Sequence, residues 1–254
     1  MEMNWTGVLP AITTPFAADL QVDHEFLATH CRRLVDCGCT AIVPLGSLGE
    51  AATLSRAEKC AVLETCMRAV GDRVPVAPGI AALSTRNAVD LACLAKAAGC
   101  RGLMVLPPYV YVSDWREMKA HVAAVLHATD LSCMLYNNPS AYGTDFLPEQ
   151  IAELAREHTN LQAVKEASTD VRRITALWAL LGDRLKLSVG ADDLIVEGIA
   201  AGATGWVAGL VNALPAESVA LFCFATNGKC RKPWRCTAGF CLFCVWIPGP
   251  SSFS

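Results

Sequence analysis

The chain has 254 residues, of which 53% are hydrophobic and 18% are charged, and its formal net charge is −3 at pH 7. This composition excludes a disordered chain and provides a large core, either for one α/β barrel or for two smaller domains. It also shows no basic face for nucleic acid and no polybasic stretch for anionic membranes, so a small-molecule ligand is expected.

The first five residues have no basic region followed by an apolar stretch, so no secretory signal is expected. The most apolar window, roughly 199–225, is interrupted by glycine, proline and glutamate, which favours a buried strand and helix over a membrane span. Thirteen cysteines are an odd number, and those before residue 220 are scattered among the predicted elements. This distribution indicates free thiols in a reducing cytoplasm.

Short β-rich segments alternate with amphipathic segments along the chain. Eight strands are predicted, at residues 8–12, 41–45, 74–77, 102–106, 132–136, 161–165, 185–189 and 205–208. A helix is predicted after each strand, at residues 24–36, 56–70, 85–98, 115–129, 148–157, 171–181, 194–201 and 216–224. Eight successive βα units in a chain of this length predict an α/β fold of the (β/α)8 TIM barrel type with parallel strands; a doubly wound sheet is the less favoured alternative.

Local signals support the helix boundaries. Ser55 followed three residues later by Glu58 has the pattern of a capping box at a helix start. Gly99 and Gly182 fall where helices are expected to end. The chain has no glycine-rich dinucleotide motif after a strand and no P-loop, so neither dinucleotide nor nucleoside triphosphate binding is supported.

The chain changes character near residue 226. Residues 1–225 are predicted to form the catalytic barrel, and residues 226–254 a tail rich in cysteine and tryptophan that is expected to be poorly ordered. One alternative is a metal knuckle, but the spacing of its four cysteines matches no standard zinc pattern: Cys230, Cys236, Cys241 and Cys244. The favoured interpretation is a tail that did not evolve with the barrel, for example through a reading-frame change, and no metal is expected.

Lys165 stands at the end of the short, mostly apolar strand predicted at 161–165. A buried ammonium loses its hydration, which is costly unless the group is used. A neutral amine, in turn, is the nucleophile that attacks a carbonyl carbon to form a Schiff base. The alternative is a solvated lysine at a strand end, because strand ends often reach water.

Catalytic groups of a barrel lie at the carboxyl ends of its strands, and several such ends carry candidates here. Residues 46–50 form a glycine-flanked turn whose N–H groups are suited to hold a carboxylate. Tyr136 ends the fifth strand, where its hydroxyl is placed to relay protons or simply packs in the core. The loop at 190–193 is acidic, which disfavours a phosphorylated substrate.

Four motifs, in this order and spacing, resemble the dihydrodipicolinate synthase / N-acetylneuraminate lyase family. They are GVLPA with TTPF at 7–16, GSLGEAATL at 46–54, YNNP at 136–139 and VKE at 164–166. The similarity runs from about residue 5 to residue 225. The resemblance implies a class I aldolase-type barrel whose Lys165 forms a Schiff base with pyruvate or another 2-oxo acid. It also implies that Tyr136 relays protons, and that Ser47 and the backbone around Leu48 hold the 2-oxo acid carboxylate.

Departures from the family pattern bear on the substrate. Where the lysine-pathway synthases carry an arginine for the second substrate's carboxylate, this chain has Ala141. Leu48 replaces the second hydroxyl residue of the glycine-flanked turn. The tyrosine that reaches a neighbouring subunit's site in the synthases aligns with Val110, or with Tyr111 if the loop shifts by one. These differences disfavour 4-hydroxy-tetrahydrodipicolinate synthase activity.

Sialic acid cleavage is also disfavoured, because a downstream hydroxyl position reads Gly209, although Asp192 and Asp193 have the chemistry to bind a polyol. Other members cleave or dehydrate 2-oxo acids, or deaminate a hydroxylated pyrroline carboxylate, and the sequence does not choose among them. The predicted catalytic residues are Lys165, Tyr136 and Ser47. The predicted substrate-binding residues are Gly46, Leu48, Tyr111, Ala141, Gly190, Asp192 and Gly209.

The resulting hypothesis is a lyase that needs no metal or organic cofactor, because the lysine itself supplies the electrophile as an iminium. Its expected partner is a small 2-oxo acid, without nucleic acid or membrane, and the resemblance implies a homo-oligomer, either a dimer or a tetramer. A rival hypothesis is a barrel without turnover. The resemblance implies a helical C-terminal extension, and the sequence has the cysteine-rich tail in its place.

Overall fold

The computed structural model describes residues 2–109 and 111–227. Val110 and the predicted metal-knuckle cysteines therefore lie outside the described residues, as does nearly all of the predicted tail. Within the described ranges, no helix is both long enough and apolar enough to cross a membrane. The nine cysteines in these ranges are free thiols.

Seven strands form a single parallel sheet in the order β1-β7-β6-β5-β4-β3-β2. The first and last strands of the chain pair with each other, so the sheet curls back toward its own beginning. This parallel α/β arrangement confirms the predicted class. The strands are β1 (Gly7–Pro10), β2 (Gly79–Ile80), β3 (Gly102–Val105), β4 (Ser132–Asn137), β5 (Leu161–Glu166), β6 (Lys186–Val189) and β7 (Gly205–Ala208).

The segment predicted as the second strand, 41–45, pairs less than expected. It makes two isolated parallel bridges, Ala11–Val43 and Ile42–Val76, and no continuous ladder. These bridges link it on one side to the chain that continues β1 and on the other side to the chain that leads into β2. The segment therefore lies between the two edge strands of the sheet.

Proline explains why the ladder is short at this edge. The strand predicted at 74–77 is displaced to β2, and Pro44, Pro75 and Pro78 lie in these two neighbouring segments. A proline has no N–H group to donate to a ladder, so each one removes a hydrogen bond that a regular strand would form. Short β-rich runs predicted the strands, but the prolines limited their pairing.

Nine α-helices among the described residues connect the strands. They are α1 (His24–Asp36), α2 (Arg56–Val70), α3 (Thr85–Ala97), α4 (Trp115–His127), α5 (Pro139–Tyr142), α6 (Pro148–Glu157), α7 (Arg172–Leu181), α8 (Ile195–Ala200) and α9 (Pro215–Thr226). Short 3-10 turns follow at Gly182–Arg184, Asp192–Leu194 and Leu210–Asn212. The bounds of α1, α2 and α6 agree with the prediction, whereas the four-residue helix α5 was not predicted.

The predicted caps are confirmed. The hydroxyl of Ser55 accepts from the N–H of Glu58 at 3.3 Å, and the Glu58 carboxylate accepts from the N–H of Ser55 at 2.7 Å. Gly99 and Gly182 have φ angles of +87° and +53°, which glycine adopts without the steric cost of a Cβ. These local signals were readable because they depend on residues close in sequence.

Strand alternation decides which side chains face the interior of the curled sheet. At the ends of β4 and β5, Tyr136 and Lys165 are register partners and line the same cavity. The next residues along these strands, Asn137 and Glu166, point to the opposite face and hydrogen-bond at 3.1 Å. The carboxyl ends of these two strands thus carry one polar pair on each face.

Candidate active site

A cavity of about 110 Å³ opens at the carboxyl ends of the strands. It brings together eight of the ten sequence-predicted site residues, together with three apolar residues that were not predicted. Its lining consists of Ala11, Gly46, Ser47, Leu48, Met104, Tyr136, Lys165, Gly190, Asp192, Val207 and Gly209. Lys165 is the one cationic side chain among these lining residues.

Lys165 is buried, with 5% of its surface exposed, although it is an ionisable residue. Its side-chain nitrogen Nζ lies 4.1 Å from the ring centroid of Tyr136. Within the described ranges, the lysines that form ion pairs are Lys96 and Lys119 on surface helices, and Lys165 is not one of them. Because Lys165 lies over an aromatic ring in a small cavity, its amine is held where a carbonyl carbon can reach it.

Gly190 makes room for the lysine. A Cβ at position 190 would lie 2.8 Å from Cε of Lys165 and 2.6 Å from Cβ of Ala167, both closer than van der Waals contact allows. A glycine is therefore required here by the close approach of the lysine stem to the start of the loop after β6. This close contact is a steric reason for the glycine that was predicted at the site.

The phenol of Tyr136 accepts a hydrogen bond from Nδ2 of Asn138 at 2.9 Å. Among the hydrogen bonds of the described residues, none joins Tyr136 to Ser47. The Ser47 hydroxyl is instead hydrogen-bonded to the phenol of Tyr142. Tyr136, which lines the cavity, and Tyr142, which lies beside it, thus each have their own polar partner.

Tyr142 is a residue beside the cavity that sequence reasoning did not identify. Its ring lies edge-on to that of Tyr136, with centroids 5.8 Å apart, and tilted against that of Tyr109, with centroids 5.7 Å apart. Burial raises the pKa of the Tyr142 phenol above its ordinary value. The available sequence signal was Asn138-Pro139, a side-chain cap followed by proline at the first helical position, which predicts the helix that carries Tyr142.

The glycine-flanked turn after residue 45 presents backbone N–H groups at the cavity. Thr14 anchors the turn, since its hydroxyl donates to the carbonyl of Gly49 at 2.7 Å. The N–H groups of Gly49 and Glu50 are used inside the turn, donating to the carbonyls of Gly46 and Ser47. Among the backbone hydrogen bonds of the described residues, the N–H groups of Ser47 and Leu48 donate to none, which leaves them available for a carboxylate.

Asp192 lines the cavity but is already engaged by the protein. Its carboxylate accepts from Nε1 of Trp206 at 3.0 Å, from the N–H of Gly209 at 3.1 Å and from the N–H of Leu210 at 2.8 Å. Burial raises the pKa of Asp192, while these donors and the nearby Lys165 oppose that shift. The polyol-binding role considered for Asp192 is therefore disfavoured, because its oxygens hold the loop after β7.

Gly209 and Leu48 meet at the mouth of the cavity. A Cβ at position 209 would lie 2.8 Å from Cδ1 of Leu48 and 3.2 Å from Oδ2 of Asp192. The missing side chain at 209 is thus what allows the Leu48 side chain, 48% exposed, to lie there. The two departures from the family pattern, one at each position, are sterically linked.

Two predicted site residues lie outside the cavity lining. Ala141 is exposed on α5, and its N–H donates to Oδ1 of Asn138 at 3.2 Å. Tyr111 is 53% exposed and follows the undescribed position 110. Neither lines the described cavity, so their predicted contact with substrate stays a prediction.

A polar network supports the site from the opposite face of the sheet. Nδ2 of Asn137 donates to the carboxylates of Glu166 and Asp145, each at 3.1 Å, and Asp145 accepts two hydrogen bonds from Arg173 at 2.5 and 2.8 Å. Burial raises the pKa of Glu166, while hydrogen bonding by Arg173 lowers that of Asp145. The network links β4 and β5 immediately beside the residues that carry Tyr136 and Lys165, and sequence reasoning did not anticipate it.

Comparisons with known proteins agree with this geometry. A model of the dihydrodipicolinate synthetase family matches residues 4–236. The 4-hydroxy-tetrahydrodipicolinate synthase of Natronomonas pharaonis is 37% identical over 226 residues, which cover 89% of this chain and 76% of that protein.

Two solved structures show the same fold. The dihydrodipicolinate synthase from Aquifex aeolicus superposes with a TM-score of 0.91 at 28% identity, over 96% of this chain and 84% of that one. A prophage protein of the same family from E. coli K12, solved in complex with pyruvate, superposes with a TM-score of 0.87 at 27% identity, over 96% of this chain and 82% of its own.

Proposed function

The chain belongs to the dihydrodipicolinate synthetase family, and we propose that it is a lyase acting on a 2-oxo acid of the pyruvate type through a Schiff base on Lys165. The observation that carries the proposal is the buried amine of Lys165 inside a cavity at the carboxyl end of β5. The reaction is cleavage of a carbon–carbon, carbon–oxygen or carbon–nitrogen bond, or the reverse condensation.

The residues at the cavity divide the chemistry among them. The neutral amine of Lys165 attacks the carbonyl carbon, water leaves, and the resulting iminium accepts the electron pair released when the bond β to it breaks. Tyr136, beside the amine, exchanges a proton with the departing group. Ser47 and the free N–H groups of the turn hold the substrate carboxylate.

The size and lining of the cavity support a small substrate. About 110 Å³ accommodates a short 2-oxo acid, and Ala11, Met104 and Val207 line it with apolar surface. Lys165 is the one basic residue in the described lining, and as an iminium its charge lies on the 2-oxo acid that it binds. A second carboxylate on the reaction partner would meet no arginine and no further lysine among these lining residues, which supports a substrate with one carboxylate.

A second candidate is 4-hydroxy-tetrahydrodipicolinate synthase activity, which the name of the Natronomonas pharaonis relative favours. The two candidates differ in whether the aldehyde partner carries its own carboxylate. Condensation with pyruvate is measured for succinic semialdehyde and for butanal, aldehydes of equal chain length that differ in this group. Preference for butanal supports the first candidate, whereas preference for succinic semialdehyde supports the synthase.

Deamination of a hydroxylated pyrroline carboxylate is the further alternative within the same imine chemistry.

Intact mass after incubation with pyruvate and sodium borohydride tests the Schiff base. We expect a single reduced pyruvyl adduct on the wild type and none on Lys165→Ala. Lys186→Ala is the matched control, because Lys186 is an exposed lysine on the neighbouring strand β6, and it is expected to form the adduct normally. An adduct that persists in Lys165→Ala would contradict the mechanism. Folded wild type that forms no adduct with pyruvate or longer 2-oxo acids would favour the barrel without turnover.

The proposal also includes a closed barrel. The segment 41–45, bridged to the chain after β1 and to the chain before β2, would serve as the eighth strand position. A homo-oligomeric assembly and a cytoplasmic location stay predictions from the sequence.

A further inference from the structure

We propose that Tyr142 is a positioning residue that holds Ser47 and supplies the outer end of a proton relay for imine formation at Lys165. This inference rests on the proposed function, since it concerns the same cavity. Ser47 lines the cavity, and its hydroxyl is hydrogen-bonded to the phenol of Tyr142. Tyr142 is not among the described residues that line the cavity, so it acts on the substrate through the Ser47 hydroxyl.

The backbone around Tyr142 is held from several directions. Asn138 caps α5 by accepting from the N–H of Ala141, and its amide also donates to the phenol of Tyr136. Gly143 ends the helix with a φ of +63°, and its N–H donates to the carbonyl of Pro139 at 2.9 Å. One asparagine thus connects the helix that carries Tyr142 to the tyrosine beside the lysine.

Aromatic packing fixes the Tyr142 ring. Tyr136 contacts it edge-on at an interplanar angle of 88°, and Tyr109 packs against it at 48°. Edge-to-face arrangements of this kind are favourable beyond their buried area, so the ring has a defined orientation. The phenol hydroxyl is thereby held toward Ser47. Because the ring is already ordered, the Tyr142 side chain loses little conformational entropy when a substrate binds.

Imine formation needs a proton at this place. After the amine of Lys165 attacks the carbonyl carbon, the carbinolamine hydroxyl leaves as water only when it receives a proton. In the relay, the Ser47 hydroxyl donates this proton and is reprotonated by Tyr142, which regains a proton from solvent at the cavity mouth. The phenol of Tyr142 is protonated at neutral pH, as an ordinary tyrosine is, and burial raises its pKa further, so it holds a proton that it passes on only to a hydroxyl hydrogen-bonded to it.

The test is the time course of borohydride trapping with pyruvate. Tyr142→Phe keeps the ring and removes only the hydroxyl, so we expect imine formation to slow by about 10- to 100-fold while the final adduct yield is unchanged. Ser47→Ala is expected to slow the same step. In the double variant, which combines Ser47→Ala with Tyr142→Phe, the rate should equal that of Ser47→Ala alone, because the Tyr142 hydroxyl acts through Ser47.

Tyr109→Phe is the control, because Tyr109 packs on the same ring without contacting Ser47, and it should trap at the wild-type rate. Thermal unfolding of each variant verifies that packing is preserved. A wild-type rate in Tyr142→Phe, or additive slowing in the double variant, would overturn the inference and leave the proposed function standing. No adduct on the wild type would overturn the proposed function, and the relay with it.

Discussion

The ε-amino group of Lys165 lies 4.1 Å from the ring centroid of Tyr136, and these two residues are register partners on the adjacent strands β5 and β4. Neighbouring strands are about 5 Å apart, so side chains in register on one face necessarily meet. A slip of one residue in this register would turn the lysine to the opposite face, where Asn137 and Glu166 now pair. The pairing of β4 with β5 is therefore what brings the side chains of Lys165 and Tyr136 together.

Removing the Tyr136 hydroxyl should separate proton transfer from imine chemistry. Tyr136→Phe keeps the ring beside Lys165, so adduct formation should continue while exchange of the pyruvate methyl protons in deuterated water falls about 100-fold. NMR follows this exchange, with Tyr109→Phe as the control, because Tyr109 packs on Tyr142 and is not among the described residues that line the cavity. Exchange at the wild-type rate in Tyr136→Phe would show that the Tyr136 phenol does not transfer protons in this reaction. Tyr136→Ala should additionally destabilise the protein by about 3–5 kcal/mol, because a buried ring is lost.

A methyl group at position 190 should displace the nucleophile. Gly190→Ala places Cβ 2.8 Å from Cε of Lys165, and a shift of about 1 Å in a reacting group lowers rates by about 100-fold. We expect adduct formation to slow by at least about 10-fold. Gly198→Ala serves as the control, because its Cβ collides with Val189 at 2.3 Å on the outer face of β6 and should reduce stability without slowing the reaction of the folded protein. Equal slowing in both variants would refute a local effect on the lysine.

Asp192 should prove to be a structural carboxylate. Asp192→Asn leaves one oxygen for three N–H donors and turns an amide N–H₂ group toward the others, so we expect a loss of about 1–3 kcal/mol in the free energy of unfolding. The neighbouring exposed Asp193→Asn should change it by no more than about 0.5 kcal/mol. Urea denaturation measures both. If Asp192→Asn unfolds like the wild type, the carboxylate is not what holds the loop after β7.

The Asp145–Arg173 pair should make stability depend on acid pH. Arg173 lowers the pKa of Asp145 in the folded state below the ordinary aspartate value of about 3.9. The stabilisation is therefore fully present above that value and is lost as pH falls through the lowered folded pKa. Since the pair is partly exposed, we expect Asp145→Asn to cost about 1–2 kcal/mol at pH 7.

Urea unfolding from pH 7 to pH 3 checks this dependence. The difference between wild type and Asp145→Asn should shrink as the carboxylate becomes protonated. Asp72→Asn, at an exposed position, should show no such trend. A difference that stays constant down to pH 3 would assign the effect to something other than the charge of Asp145.

Local signals accounted for much of the fold. The Ser55–Glu58 capping box placed the start of α2, and the apolar run before Lys165 placed the lysine at a strand end. The ladder at 41–45 was overestimated, because a short β-rich run does not report how many ladder hydrogen bonds Pro44 and the neighbouring prolines remove. Local patterns of this kind depend on residues within one helical turn or one strand, and such residues are adjacent in sequence.

The sequence by itself determined the α/β class, the parallel βα order and the identity of Lys165 and Tyr136 as strand-end residues. The tertiary structure alone decided that Ser47 bonds with Tyr142, a partner 95 residues away, and not with Tyr136. It also decided that Arg173 supports Asp145 behind the site. Hydrogen bonds and steric fits between distant segments are set by strand register and helix placement, which local periodicity does not encode. The candidate residues at the strand ends were therefore readable from the chain, whereas the distant residues that hydrogen-bond beside them were not.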